Sequence, residues 1–252
     1  MHLTTVALGF IAATAAALPT STVPESASQF ERDIIEIVTL ERKAFLSARD
    51  LELAARHGAN ADEMFPHSLI RRKGGDDITI WVNNNYQEGE PLADDDDEKA
   101  SALGKRQSAR PNDNAYTIQG GQNQRLCSAI SVPPDVHLTR PDSAFTGGAH
   151  AMIAWGRRSY GFFKFAGKSG TSWTDVLLGG SNSGANARFS IIKEDGHLET
   201  RIGTGDVALL VDYVVPKFQV NYGDGWRIAA QGRAGCPDGG MKFELKKTDK
   251  RI

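Results

Sequence analysis

Residues 214–230, VVPKFQVNYGDGWRIAA, are the stretch that most directly indicates a β fold. In residues 214–222 Phe218, Val220 and Tyr222 alternate with polar positions, as on one face of a half-buried strand. Asp224-Gly225 follows, and both residue types tolerate the positive φ angles of a two-residue hairpin turn. Residues 226–230 alternate again and supply the return strand. The stretch therefore predicts a β-hairpin.

The same kind of pattern recurs through the C-terminal part of the chain. Asp195-Gly196 separates two further alternating runs, residues 187–193 and 197–202, which predict a second hairpin. Helical periodicity is nearly absent after residue 107. Further strand candidates are residues 126–132, 149–155, 160–165 and 241–245. This many short strands predicts a mainly β fold, with a β-sandwich over residues 107–252.

The N-terminus predicts secretion. Residues 6–17 form a short apolar run that ends in three alanines, as a secretory signal peptide of residues 1–17 requires. The run is shorter than the roughly 20 apolar residues that span a bilayer, and no later segment is long and apolar enough for a membrane span. The alternative is a buried helix. We expect an extracellular location.

Residues 18–106 predict a pro-region. Up to residue 106 the chain has 11 basic and 18 acidic residues, a net charge of −7, whereas the remainder has a net charge of +5. The acidic block 94–98 (DDDDE) reads as a solvated linker, and Lys105-Arg106 follows it as a dibasic site for a furin-like protease. Ser28 can cap a helix whose apolar positions Phe30, Ile34, Ile37 and Val38 share one face. Residues 44–57, before Gly58, continue the helical pattern, so the pro-region is predicted to be partly helical.

The two cysteines, Cys127 and Cys236, predict one disulfide, because paired cysteines in an oxidising compartment are usually bonded. Two separate buried thiols are the alternative. Neither a metal site nor a cofactor is predicted, since the cysteines and histidines lack ligand spacing.

No catalytic motif is present in residues 107–252, so the sequence does not predict an enzyme. The Gly/Ser-rich residues 179–184 lack the glycine spacing of a nucleophile elbow, and residues 166–169 (AGKS) lack the first glycine of a phosphate-binding loop. His150 and His197 are general-base candidates, although ordinary histidines at strand ends fit them better.

Basic and aromatic residues are the best candidates for binding. Arg157 and Arg158 fall between two predicted strands, and Trp173 with Tyr160 could stack on a sugar. The alternatives are a solvated basic surface and ordinary core aromatics. Nucleic acid is not predicted as a partner, because no recognition motif accompanies the modest positive charge. We expect a host protein or a cell-surface glycan.

The overall layout resembles that of the ToxA-like fungal effectors. Residues 125–128 (RLCS) match the expected place of the first cysteine, and Gly223-Asp224, residues 231–233 (QGR) and Cys236 resemble the approach to the second. The Arg-Gly-Asp loop is missing, and residues 140–142 (RPD) are its nearest counterpart. The resemblance implies a secreted, non-enzymatic effector that binds a host or surface component. A secreted β-sandwich hydrolase or carbohydrate-binding protein is the alternative.

Overall fold

The computed structural model describes residues 26–89, 115–117, 126–127, 129–131, 138–166, 172–184, 186–194, 199–236 and 239–248. The predicted signal peptide and the Lys105-Arg106 site lie outside these residues. Strand accounts for 44% and helix for 27%, so the fold is mixed but strand-rich.

The described residues form four helices and fifteen strands. The helices are α1 (Ala27–Asp33), α2 (Ala48–His57), α3 (Thr146–Arg158) and α4 (Thr204–Phe218). The strands are β1 (Ile34–Thr39), β2 (Met64–Arg72), β3 (Ile78–Asn83), β4 (Tyr86–Glu88), β5 (Ala115–Thr117), β6 (Ala129–Ser131), β7 (Ala144–Phe145), β8 (Gly161–Ala166), β9 (Thr174–Ser181), β10 (Ala187–Lys193), β11 (Glu199–Gly203), β12 (Val220–Asn221), β13 (Trp226–Ile228), β14 (Ala230–Cys236) and β15 (Gly239–Lys247).

One antiparallel sheet dominates the fold. Its strand order is β1-β2-β3-β9-β10-β15-β14-β6-β5, in which the first seven strands form the main part and two three-residue strands extend one edge. Two three-stranded sheets, β11-β8-β4 and β12-β13-β7, complete the described topology. Strands from residues 26–89 therefore stand in the same sheet as strands from the C-terminal part.

Two long helices occupy positions where the sequence predicts strands. Residues 149–155 lie in α3, so that strand prediction is wrong, and of the strand predicted over residues 214–222 the first five residues lie in α4 and only β12 is strand. Ten of the 13 residues of α3 are buried, and a helix that is apolar on nearly all sides has no polar face to reveal its period. Small residues bring α3 close to the sheet: a Cβ on Gly179 of β9 would lie 2.4 Å from the Gly148 carbonyl oxygen.

The two Asp-Gly hairpin predictions have different outcomes. β12 and β13 do pair around Asp224-Gly225, with Asn221 opposite Trp226, which confirms a hairpin here. The predicted two-residue turn is wrong, because the connection has four residues, with positive φ angles at Gly223 and Gly225. The second hairpin prediction is wrong, because β10 pairs with β9 and β15 whereas β11 pairs with β8 in another sheet.

The N-terminal helices match their predictions in part. Ser47 caps α2 through a capping box with Asp50, and Gly58 ends the helix with a φ of 75°. The α1 helix is capped by Ser26 rather than Ser28 and ends at Asp33. The predicted helical continuation through residues 34–38 is wrong, because these residues form β1.

The predicted disulfide between Cys127 and Cys236 is present. Cys236 ends β14, and Cys127 lies against the beginning of α4, where the Asp206 carboxylate accepts hydrogen bonds from the backbone N–H groups of Gly203, Leu126 and Cys127. The bridge therefore fixes the end of β14 to the N-terminus of α4.

Candidate functional site

A cavity of about 420 Å³ opens where the end of β1 meets β2 and β4. It brings together aromatic rings, an imidazole and both signs of charge. The lining residues are Thr39, Leu40, Glu41, Arg42, Phe65, His67, Tyr86 and Glu88. All of them belong to residues 26–89.

A β-bulge places the imidazole at this cavity. Pro66 pairs with Trp81 and Ser68 pairs with Ile80, so His67 between them has no partner on β3. Such an extra residue bends a strand locally and turns a side chain in a new direction. On the other side, the His67 carbonyl accepts a hydrogen bond of 2.7 Å from the Leu40 N–H, which holds the segment after β1 against the bulge.

The tautomer of His67 is fixed by its neighbours. The Trp155 indole N–H donates to His67 Nδ1 over 3.2 Å, and an indole N–H can only donate. Nδ1 is therefore an acceptor, and the neutral ring has its proton on Nε2. Burial lowers the pKa of His67, against a smaller opposing effect of the Glu88 carboxylate. The ring is thus a neutral donor rather than a cation.

Tyr86 is the second fixed group of the cavity. Burial, followed by the charge of Glu88, raises the pKa of Tyr86 to about 12, so the phenol keeps its proton. Its hydroxyl donates to the Tyr160 carbonyl over 3.3 Å. The Tyr86 ring packs edge-on against His67, with centroids 5.2 Å apart, and also contacts Trp155 and Phe163. These contacts hold the ring rigidly.

Charged side chains line the same cavity as the aromatic rings. The Arg42 guanidinium lies over the Phe65 ring, 4.2 Å from its centroid, which is the geometry of a cation–π contact. Its Nη2 also donates to the Asn84 amide oxygen over 3.5 Å. Glu41 and Glu88 supply carboxylate acceptors at the same cavity.

The geometry does not favour nucleophilic catalysis. Ser68 Oγ lies 2.7 Å from His67 Nδ1, the separation of a serine–histidine pair. However, Ser68 is only 1% exposed, and the same Nδ1 already accepts the Trp155 indole. Among the described residues no three His, Cys, Asp or Glu side chains are grouped as a metal site would require.

The four predicted binding residues lie at different places. Arg157, on the last turn of α3, pairs with Glu31 at 2.6 Å and with Asp212 at 2.8 Å, so it connects α1, α3 and α4. Arg158 is exposed beside it, and Trp173 is half-buried just before β9. Tyr160 is 38% exposed, and its carbonyl contacts Tyr86. Only Tyr160 is joined by a hydrogen bond to the cavity.

The sequence analysis missed His67, Tyr86, Glu88 and Arg42 because it treated residues 18–106 as a separate pro-region. One signal was available. Residues 78–83 (ITIWVN) are an apolar, β-branched run that is typical of a fully buried strand. Such a strand needs neighbours on both sides, and β2 supplies one of them, whereas β9 from the C-terminal part supplies the other.

Comparisons with protein-family models, curated proteins and solved structures found no match. Within the part of the chain that the structure describes, none of the helices has the length and apolar character needed to cross a membrane.

Proposed function

We propose that this is a secreted protein, processed during export, that acts by binding a component of a host or of a cell surface, and that its cavity takes a glycan. One observation supports the ligand class: fixed aromatic rings, hydrogen-bond donors and carboxylate acceptors converge on one cavity.

A sugar presents hydroxyl groups, which both donate and accept hydrogen bonds, and apolar C–H faces. The cavity offers complementary groups of each kind. Arg42 and the neutral His67 donate, Glu41 and Glu88 accept, and the rings of Phe65 and Tyr86 supply apolar surface. A largely pre-formed cavity with a few oriented polar groups is the usual form of a small-ligand site.

A second candidate is hydrolysis of a glycosidic bond. The observation that favours it is the presence of two glutamates, Glu41 and Glu88, in one cavity, since most glycosidases use a pair of carboxyl groups as acid and base or nucleophile. Binding leaves the polysaccharide intact, whereas hydrolysis releases soluble sugar. The same experiment therefore distinguishes a binding protein from a hydrolase.

Secretion and cleavage after Lys105-Arg106 belong to this proposal. The Cys127–Cys236 disulfide supports an oxidising destination. Membership of the ToxA-like effectors, with their β-sandwich, is also a proposal. The antiparallel sheet and the disulfide support it, whereas the helices α3 and α4 are a departure from a sandwich made of strands alone.

The test is retention of the secreted protein on insoluble chitin, β-1,3-glucan and mannan. We expect one of them to retain the wild-type protein and Glu88→Gln to weaken retention about tenfold or more, because a hydrogen bond to a charged group contributes about 1.5–3 kcal/mol. Glu36→Gln is the matched control, since Glu36 is an exposed β1 residue paired with Arg71 outside the cavity.

Equal retention of Glu88→Gln and wild type, with both folded, would contradict a glycan site at this cavity. So would the absence of wild-type retention on all three polysaccharides. Release of soluble sugar that Glu88→Gln abolishes would instead establish the hydrolase.

A further inference from the structure

Residues 26–89 and the C-terminal part share the middle of the main sheet. β3 pairs along its length with β9, with Ile78 opposite Ser181 and Val82 opposite Leu177. All six residues of β3 are buried. This junction is therefore an internal ladder of the sheet and not an edge contact.

A buried cluster reinforces the junction on one face. Trp81 is fully buried, packs with Leu178 of β9, and donates its indole N–H to His57 Nδ1 over 3.0 Å. The His57 carbonyl in turn accepts from the Thr248 hydroxyl over 2.9 Å. The His57 ring also lies close to the backbone of β9. A Cβ added to Gly180 would lie 2.5 Å from His57 Cγ.

The other contacts extend the same interface to the helices and to a second sheet. Phe30 of α1 is fully buried, and its ring centroid lies 5.7 Å from that of His150 on α3. β4 pairs with β8, with Tyr86 opposite Phe163. The Asn83 amide donates to the Asp175 carbonyl over 2.7 Å.

No covalent bond besides the backbone joins the two parts. The chain has two cysteines, and both belong to the C-terminal part, where they bond to each other. Once the backbone between residues 89 and 126 is cut, non-covalent contacts hold residues 26–89 in place.

We propose that residues 26–89 are a permanent subunit of the mature protein, which stays bound non-covalently after the connecting segment is cut. This inference rests on the processing given under the proposed function. In that step a secretory protease adds water across the Arg106–Gln107 peptide bond, which leaves a carboxylate on Arg106 and an ammonium group on Gln107. Residues 26–89 then stay in place, because their dissociation would expose β3, Trp81 and Phe30 to solvent.

The glycan cavity depends on this association. The residues that line it come from the N-terminal part, yet His67 is oriented by Trp155, and Tyr86 donates to the Tyr160 carbonyl. Loss of the N-terminal chain would remove the site, and loss of the C-terminal chain would release its supports.

Cutting the chain changes unfolding from a unimolecular to a bimolecular equilibrium. In the intact chain the connecting segment holds the two parts at a high effective concentration. In the cut protein the unfolded parts separate, so the melting temperature must rise with protein concentration.

The test uses the full chain secreted by a eukaryotic host, together with the double variant Lys105→Ala/Arg106→Ala as the uncut control. On a non-reducing denaturing gel we expect two chains from the wild type and one from the control. In native size-exclusion chromatography each protein should elute as one peak of the same size. Each tenfold increase in concentration should raise the melting temperature of the cut protein by about 3 °C and leave that of the control unchanged.

The outcomes separate the inference from the processing. If the wild type is cut and the N-terminal chain elutes apart from the C-terminal chain, the inference is overturned and the processing stands. If the wild type is secreted uncut, the processing is overturned. Limited digestion of that uncut protein with purified furin-like protease then decides whether the two chains stay together.

Discussion

Acidification is expected to destabilise the protein because two buried histidines are held neutral. Burial is the main cause, with Arg56 beside His57 and Arg72 beside His150 adding to it, and together these effects lower the pKa of each imidazole to about 4. The unfolded chain binds a proton on each ring as the pH falls through about 6.5, and the folded protein binds it only near pH 4. The stability linked to the neutral rings is therefore present above pH 6.5 and lost as the pH falls.

The size of this loss follows from the two pKa values. For each histidine, the free energy of unfolding falls by about 1.4 kcal/mol per pH unit between the unfolded and folded pKa values. At pH 5 each ring lowers the free energy of unfolding by about 2 kcal/mol relative to pH 7, and the two together by about 4 kcal/mol. Total stabilities of about 5–15 kcal/mol are typical, so the melting temperature should fall by about 10 °C. His67, whose pKa burial also lowers, acts in the same direction.

The assay is thermal unfolding followed by circular dichroism at pH 7, 6 and 5. This range isolates the histidines, because the carboxylates with lowered pKa values, such as Asp50 with its hydrogen bond from Ser47, titrate below it. His150→Leu removes one titrating ring and should cut the loss between pH 7 and pH 5 by about 2 kcal/mol. A wild-type melting temperature that is the same at pH 5 and pH 7 would refute the reasoning, as would an unchanged loss in a folded His150→Leu protein.

Two further predictions concern stability. Cys236→Ser removes a disulfide between residues 109 positions apart, for which the chain-entropy relation gives a stabilisation of about 5 kcal/mol. The melting temperature should therefore fall strongly, and an unchanged melting temperature would mean that the disulfide contributes nothing to stability. Gly180→Ala puts a methyl group 2.5 Å from His57 Cγ and should cost about 1–3 kcal/mol in chemical denaturation. Gly74→Ala is its control, because nothing lies within 4 Å of the added Cβ, and equal midpoints for the two variants would show that His57 moves away freely.

Local signals in the sequence were reliable where neighbouring residues decide the conformation. Gly58, predicted as the stop of α2, does end that helix in a left-handed conformation, whereas the capping box of Ser47 and Asp50 at its other end was not predicted. Asp224-Gly225 likewise allows β12 and β13 to pair. The disulfide followed from chemistry, since two cysteines in an oxidising compartment have only each other as partners.

Helices α3 and α4 show where such signals fail. Both have apolar residues on nearly every side, so neither a period of 2 nor one of 3.6 is visible, and the alternation in residues 214–222 is shared between a helix end and a two-residue strand. Tertiary packing decides here between helix and strand. In α3, the close approach of Gly148 to Gly179 of β9 is one such contact.

The sequence by itself determined the strand-rich composition, the disulfide and the expectation of secretion and a dibasic cut, because these depend on residue type and short-range order. Only the tertiary structure joined residues 26–89 to the C-terminal part and formed the cavity of His67, Tyr86 and Glu88. Strand pairing between β3 and β9 links residues about 100 positions apart. Such pairing depends on burial and register across the whole sheet, which no local pattern encodes.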